Sequence, residues 1–312
     1  MADRIAIIGA GLMGHALAGD FARHGFEVAI TDRDPARRAD VRDRVRTTMT
    51  ALETAGLLRG DSLDTLVSRV TPVDTAALAV QGASFVLEAV SEDLSVKRTV
   101  FKELDDICSS EVTLASNSSG LMASEISAGL THADRVIITH YFNPPHLIPA
   151  VEVVPGPATR ADVTEHAVDT LRRAGKSPVL VKREVPGFIA NRLQAALVRE
   201  AIALVEGGVI TPEDLDTLTK TSYGRRLDIL GVFEVLDFAG VDVWRDIARY
   251  LYADIASQTT PPRMLGDLAA AGRLGVKSGR GVYEWPPEAV KAAQTRRDQE
   301  LIRQLQRDAA TS

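Results

Sequence analysis

The chain has 312 residues, more than one compact core of the usual size accommodates, so two domains are expected. With 45% hydrophobic and 25% charged residues it has the composition of an ordinary soluble globular protein, and its net charge of −6 argues against a nucleic-acid partner, which needs a basic face. A single cysteine, Cys108, excludes a disulfide within the chain, and no apolar run approaches the roughly 20 residues needed to span a bilayer.

The opening "MADRIAIIGAG" enters a strand at once, which leaves no room for a signal peptide and leads us to expect a cytoplasmic protein. That first strand runs into "GAGLMG", placing Gly9, Gly11 and Gly14 between a strand and a helix expected from Met13 to His24. The first glycine permits a tight turn, the second lets backbone approach a pyrophosphate, and the third lets helix pack on strand, with helix N-terminal amides facing the anion. Leu12 and Met13 within the turn, and Ala89 after the fourth strand run, are counted with this nucleotide site. Asp32 ends the second strand, "EVAIT", eighteen residues after Gly14, where an acid accepts hydrogen bonds from an adenosine ribose and repels a 2′-phosphate. NAD is therefore expected rather than NADP, although Arg33 stands next door. The competing reading is a structural glycine turn with Asp32 as a helix cap.

From Thr31 to the third strand near Ser68 the gap exceeds one crossover helix, and a projecting helical pair is expected there. The arginines between Arg33 and Arg46 alternate with Asp32, Asp34, Asp40 and Asp43 and read as a solvated helix face. Further strand runs follow, "SFVLEAV", "VTLASN", "RVIITHYF", "AVEVVP" and "SPVLVKR", interleaved with helices expected over Leu94–Ile107 and Ala161–Ala174. Such alternation means crossovers and a doubly wound, mainly parallel α/β sheet. After Glu184–Gly187 the periodicity turns helical, which divides the chain into residues 1–185 and an all-helical domain over 186–312. In that second part Thr211 is placed to cap a helix begun by Pro212, and the segment from Pro287 reads as a charged terminal helix.

In "IPAVEVVPG" a carboxylate, Glu152, sits within an apolar strand, where an unpaired charge costs several kcal/mol. Twelve residues earlier His140 lies near the end of another apolar run, at the carboxyl edge of the sheet where ligands bind in open α/β folds. Oxidising a secondary alcohol by hydride transfer needs a base, and an imidazole, with an ordinary pKa of about 6.5, serves when a carboxylate holds its tautomer and stabilises its cation. Taken singly, His140 reads equally as a core histidine and Glu152 as half of a structural ion pair.

With "GAGLMG", "VLEAVSEDLSVKRTVFKELD", "ASNSSG", "HYFNPP", "VEVVPG", "VPGFIANRL" and "GVKSGRGVY" in order, the chain resembles the L-3-hydroxyacyl-CoA dehydrogenases over nearly its whole length. The resemblance implies a Rossmann-type NAD domain, a helical substrate domain and an active site between the two. It implies His140 as general base, Glu152 as its orienting partner, and Ser119 and Asn191 as hydrogen-bonding groups at the substrate oxygen. It also places Glu92 and Lys97 near the nicotinamide ribose and Asn117 near the nicotinamide. The other reading of Glu92 and Lys97 is a helix start with an ordinary surface lysine.

Where acyl-CoA enzymes of this family usually have a "GPFELLD"-like loop, this chain has "SYGRRLDILGVFEVLDFAG", with Arg225 and Arg226. "NPPHLIPAVE" looks more like the branch that oxidises free hydroxy acids, such as L-gulonate, and an arginine fork suits a free carboxylate. A 3-hydroxyacyl-CoA, a free 3-hydroxy acid, and a non-catalytic NAD-binding role are thus the readings in view. His15, His24, His132, His146 and His166 form no metal spacing, so no metal is expected. His15 is a candidate neighbour of phosphate or a surface position, and His146 a candidate for the substrate pocket. A helical domain unable to bury its apolar faces alone usually dimerises, and a homodimer through residues after Phe188 is expected.

Overall fold

The computed structural model describes residues 3–311. Its strands are β1 (Arg4–Ile8), β2 (Glu27–Thr31), β3 (Val70–Pro72), β4 (Phe85–Glu88), β5 (Thr113–Ser116), β6 (Val136–Tyr141), β7 (Ala150–Pro155) and β8 (Ser177–Leu180). They form one sheet in the order β3-β2-β1-β4-β5-β6-β7-β8. Every neighbouring pair is parallel except β6 and β7. Runs such as Val136–Tyr141 are buried at every position, because helices cover both faces of a doubly wound sheet. The fold is the expected Rossmann-type sheet followed by helices.

The helices of the first part are α1 (Leu12–Arg23), α2 (Pro35–Ala39), α3 (Val41–Thr54), α4 (Leu63–Ser68), α5 (Ala76–Ala79), α6 (Leu94–Ile107), α7 (Ala123–Ile126) and α8 (Ala161–Arg173). Those of the second are α9 (Ala190–Glu206), α10 (Pro212–Thr221), α11 (Tyr223–Leu227), α12 (Val232–Ala239), α13 (Val241–Leu251), α14 (Arg263–Ala270) and α15 (Pro287–Thr311). One apolar cluster lies on each face of the sheet. Leu17, Phe21, Phe85 and Leu171 belong to one, and Val86, Phe101, Leu114 and Ile138 to the other.

The helices between β2 and β3 do not project. Val41, Val45, Met49 and Leu52 recur at helical spacing on α3 and are all buried, and α3 packs on α1 at Gly19, where an added Cβ would stand 2.7 Å from Met49 Cε. Nor are the arginines of this segment a merely solvated face. Arg38 Nη1 donates to the Asp32 carbonyl at 2.7 Å, Arg42 Nε to Val70 O at 2.7 Å, and Arg44 Nη1 to Ala10 O at 2.7 Å. Each guanidinium satisfies a backbone carbonyl of another segment, so these residues tie the nucleotide turn and β3 to the helices beside them.

The chain separates into two compact units. One runs through Asn191 and takes up the chain again from Arg296, and the other is Arg192–Thr295. The last part of α15 thus groups with the sheet rather than with the helical unit, because Leu301, Ile302 and Leu305 form an apolar stripe packed on the core. In the helical unit Thr211 caps α10, its Oγ1 accepting from Asp214 N at 3.2 Å, with Pro212 at the first turn.

Candidate active site

The glycine turn folds as its spacing demands. Gly9 has φ +110°, a conformation side chains rarely adopt, and a Cβ there would meet the Ala89 carbonyl at 2.6 Å. A Cβ on Gly14 would stand 1.8 Å from the Gly9 carbonyl, so only glycine lets α1 start this close to β1. Gly11 faces open space, its nearest neighbour being Arg37 Nη1 at 3.8 Å. No side chain caps α1 and no acid stands in its first turn, which leaves its N-terminal amides for an anion.

Beside the turn lies a cavity of about 660 Å³ lined by Gly9, Gly11, Leu12, Met13, Asp32, Ala89 and Asn117, with Arg33 and Arg37 at the Asp32 side. Asp32 is buried. Its Oδ2 accepts from Ala10 N at 2.8 Å and its Oδ1 from Asp34 N at 2.9 Å, while the cap of α2 is Asp34. Glycines that a side chain would overfill, free helix amides and an acid at the end of β2 together fit a dinucleotide. Gly14 packs behind the turn rather than lining the cavity.

β6 and β7 are antiparallel, and their register sets His140 directly opposite Glu152. Side chains at opposed positions start about 5 Å apart, within reach of each other. His140 Nδ1 donates to Glu152 Oε2 at 2.7 Å, and both residues are buried. A carboxylate only accepts, so this bond puts the proton on Nδ1 and leaves Nε2 with its lone pair. The other carboxylate oxygen, Oε1, accepts from Ile189 N at 2.8 Å and Ala190 N at 2.9 Å, the amides that open α9. Three donors and a helix start therefore answer the charge that the apolar strand would not tolerate alone. Phe142 and Phe188 flank the imidazole, with ring centroids 4.7 Å and 5.6 Å away.

Asn191 follows Ala190 at once, and its Nδ2 donates to the Ser119 carbonyl at 2.7 Å. The Ser119 turn is held in place by Glu92, whose Oε1 accepts from Ser118 Oγ, Ser119 N and Gly120 N at 2.6, 2.9 and 3.1 Å. Burial pushes the Glu92 carboxyl up, but these bonds and the Lys97 ammonium outweigh it and hold it below its ordinary value. Asn117 Oδ1 accepts from Tyr141 N at 3.0 Å, joining the end of β5 to the residue after His140. His140 thus pairs with Glu152, Asn191 with the Ser119 carbonyl and Ser119 with Glu92, while Asn117 holds the residue after His140.

Lys97 is not a surface lysine. It is 1% exposed, and its Nζ donates to Glu88 Oε1 at 2.8 Å and Oε2 at 3.0 Å, with Glu92 Oε2 at 3.3 Å. Glu88, fully buried at the end of β4, also accepts from Ser116 Oγ at 2.5 Å and Val90 N at 2.6 Å. Sequence reading passed over Glu88, yet its signal was the one that singled out Glu152, a carboxylate inside an apolar run, here "SFVLEAV". Phe142 and Phe188 carried no such signal.

His15 is buried, neither a surface residue nor among those lining the cavity. Its ring bonds Gly11 O at 2.7 Å and Thr48 Oγ1 at 3.1 Å, and burial lowers its pKa. His146 is mostly buried, and burial pushes its pKa down to about 4. Arg225 and Arg226 are exposed on α11, in the helical unit. Among the described residues no group of three His, Cys, Asp or Glu could hold a metal ion, and no helix is long and apolar enough to cross a membrane.

The sequence model of the 3-hydroxyacyl-CoA dehydrogenase NAD-binding domain matches residues 4–185, and that of the C-terminal domain matches residues 187–285. The chain is 35% identical over 302 residues to 5-formyl-3-hydroxy-2-methylpyridine 4-carboxylate 5-dehydrogenase of Mesorhizobium japonicum, covering 97% of each. A solved structure of a dehydrogenase of that name, described as an NAD+-dependent dismutase, superposes with a TM-score of 0.90 at 36% identity, covering 97% of both chains. Lambda-crystallin of Oryctolagus cuniculus is 37% identical over 236 residues, 75% of this chain and 74% of that one. L-carnitine dehydrogenase of Oceanobacillus iheyensis is 33% identical over 237 residues, 76% of each. The chain therefore belongs to the 3-hydroxyacyl-CoA dehydrogenase family and is an NAD-dependent dehydrogenase acting on a CH–OH group.

Proposed function

We propose that this protein oxidises the hydroxyl of a small hydroxy acid whose carboxylate is free, with His140 as the base. The bond between His140 Nδ1 and Glu152 Oε2, made by two buried side chains at the sheet edge that carries the glycine turn, is the observation that supports this most. The turn with Asp32, Ala89 and Asn117 would hold NAD, which when bound supplies the hydride acceptor. His140 Nε2, its lone pair free, takes the hydroxyl proton while the carbon gives up its hydrogen with the electron pair and the C–O bond becomes a carbonyl. Glu152 stabilises the imidazolium so formed, and the Ile189 and Ala190 amides hold that carboxylate in place. Ser119 and Asn191 hold the reacting oxygen without adding charge.

The free carboxylate is supported by the relatives, which include a pyridine-carboxylate dehydrogenase and a carnitine dehydrogenase. Arg225 and Arg226, planar and always charged, are its proposed ligands. A 3-hydroxyacyl-CoA thioester is the second reading, favoured by the two family models. A steady-state assay with NAD comparing matched hydroxy acids and their CoA thioesters tests the choice. Higher kcat/KM for the acids is expected, and a preference for the thioesters reverses the substrate assignment. Reduced cofactor from neither sinks both.

A homodimer through the helical unit belongs to the same proposal. Among residues 192–295 only Ile202 and Gly281 are buried, while Ile229, Phe233 and Phe238 are 76%, 80% and 82% exposed. Apolar helix faces of this extent call for a covering surface, and a second copy supplies one by symmetry. Light scattering that finds a monomer at micromolar concentration would exclude it.

A further inference from the structure

The segment Lys182–Ala190 is mostly exposed or half-buried, with one exception: Phe188, whose side chain is fully buried. Phe188 also has φ +50°, in the left-handed region that a bulky side chain seldom enters and that glycine adopts freely. A conformation this unfavourable persists only when its surroundings fix it, and such residues gather at active sites. Here the surroundings are the catalytic pair. The Phe188 ring lies 5.6 Å from the imidazole of His140, centroid to centroid, at 52° between planes. The two amides that follow it, Ile189 N and Ala190 N, both point at Glu152 Oε1.

We propose that Phe188 is a positioning residue for the His140–Glu152 pair, its backbone aiming two amides at the carboxylate and its ring walling the imidazole. The left-handed turn sets the direction of the next peptides. The Ile189 and Ala190 amides occupy Oε1, so Oε2 alone is left to face Nδ1. The ring, with that of Phe142 also against the imidazole, keeps His140 from rotating off that bond and excludes water from the side it covers. Glycine would satisfy the backbone at this position without strain, so a phenylalanine here means that the ring has a task of its own. The proposal rests on His140 being the base.

Substitution separates the two parts. Phe188→Gly keeps the turn and removes the ring, and Phe188→Leu keeps an apolar side chain but loses the aromatic wall. For Phe188→Gly, kcat is expected to fall at least tenfold while the KM for NAD and NADH affinity by fluorescence titration stay within twofold. Phe188→Leu should recover part of the loss, and thermal melting identifies any variant that fails to fold, in which case Phe188→Leu alone is compared with wild type and a kcat within twofold overturns the proposal. In a His140→Ala background, Phe188→Gly should cost no further activity, because the group it positions is gone. A Phe188→Gly enzyme with wild-type kcat overturns the proposal, as does a full additional loss in the His140→Ala background. If His140→Ala itself keeps wild-type activity, the assignment of the base fails instead, and the proposal falls with it.

Discussion

The two compact units are built on different terms. Through Asn191 the chain buries apolar residues on both faces of a sheet, and the charges it buries are paired: Lys97 with Glu88, Arg135 with Asp105, Lys176 with Asp20. From Arg192 to Thr295 the helices bury almost nothing. A sheet covered on both faces is complete in one chain, because its crossover helices supply the second layer. Short amphipathic helices supply no such closure, and α13, with Val241 and Val243 exposed, still has an apolar face to cover. On our proposal the chemistry belongs to the unit whose geometry one chain fixes. Assembly and substrate choice belong, on the same proposal, to the other.

The strongest way to break this division is at the base. His140→Ala is expected to lower kcat by about 10²–10⁴-fold and to leave NADH binding unchanged, since the glycine turn and Asp32 lie on other elements. Steady-state kinetics with a fluorescence titration check both halves, and a parallel loss of NADH affinity would mean that chemistry and cofactor binding are not separable within the sheet unit.

Next is assembly. Replacing Phe233 and Phe238 together by Asp should weaken dimerisation at least about thirtyfold, the equivalent of about 2 kcal/mol, because buried aromatic anchors dominate such interfaces. Analytical ultracentrifugation measures it, and NADH affinity should be untouched. Converting Arg225 and Arg226 to Ala should raise the KM for a free hydroxy acid about tenfold, or about 1.4 kcal/mol, and leave a CoA thioester unaffected. Equal effects on both substrates would take the arginines out of carboxylate recognition.

The smallest effect sharpens the comparison from the side of stability. Burial pushes His146 down to about 4, so the unfolded chain binds its proton near pH 6.5 while the folded chain does not until pH nears 4. This group contributes no pH dependence above pH 6.5, and its presence destabilises the fold progressively as pH falls from 6.5 to 4. His146→Leu should therefore recover about 1 kcal/mol at pH 6 relative to pH 8 and change the pH slope little at pH 8, as read from urea unfolding. An unchanged slope between pH 6.5 and 4 would show that His146 titrates alike in both states.

Reading the chain alone succeeded where a local pattern carries the physics. The glycine spacing of the nucleotide turn and buried strand runs such as "RVIITHYF" needed no partner to be legible, since a tight turn or a doubly buried strand imposes its residues directly. It went astray where distant residues decide. For Lys97 a place near the nicotinamide ribose and an ordinary surface lysine both stood open, and the fold buries it against Glu88, nine residues back. His15 reads as a surface helix position until α3 packs across it and Thr48 takes its second nitrogen. Arg38, Arg42 and Arg44 read as a solvated face, yet their targets are carbonyls of other segments.

What the sequence determined by itself was the class of fold, the place of the cofactor turn and the suspicion attached to Glu152, because each follows from the fit of a residue to its immediate neighbours. That His140 and Glu152 face one another was decided by tertiary structure: β6 and β7 are the one antiparallel pair in an otherwise parallel sheet, and its register opposes them. Phe188 belongs to the same category. Its backbone is legible only where the imidazole and the carboxylate are already in place, since a left-handed phenylalanine has no local reason to exist.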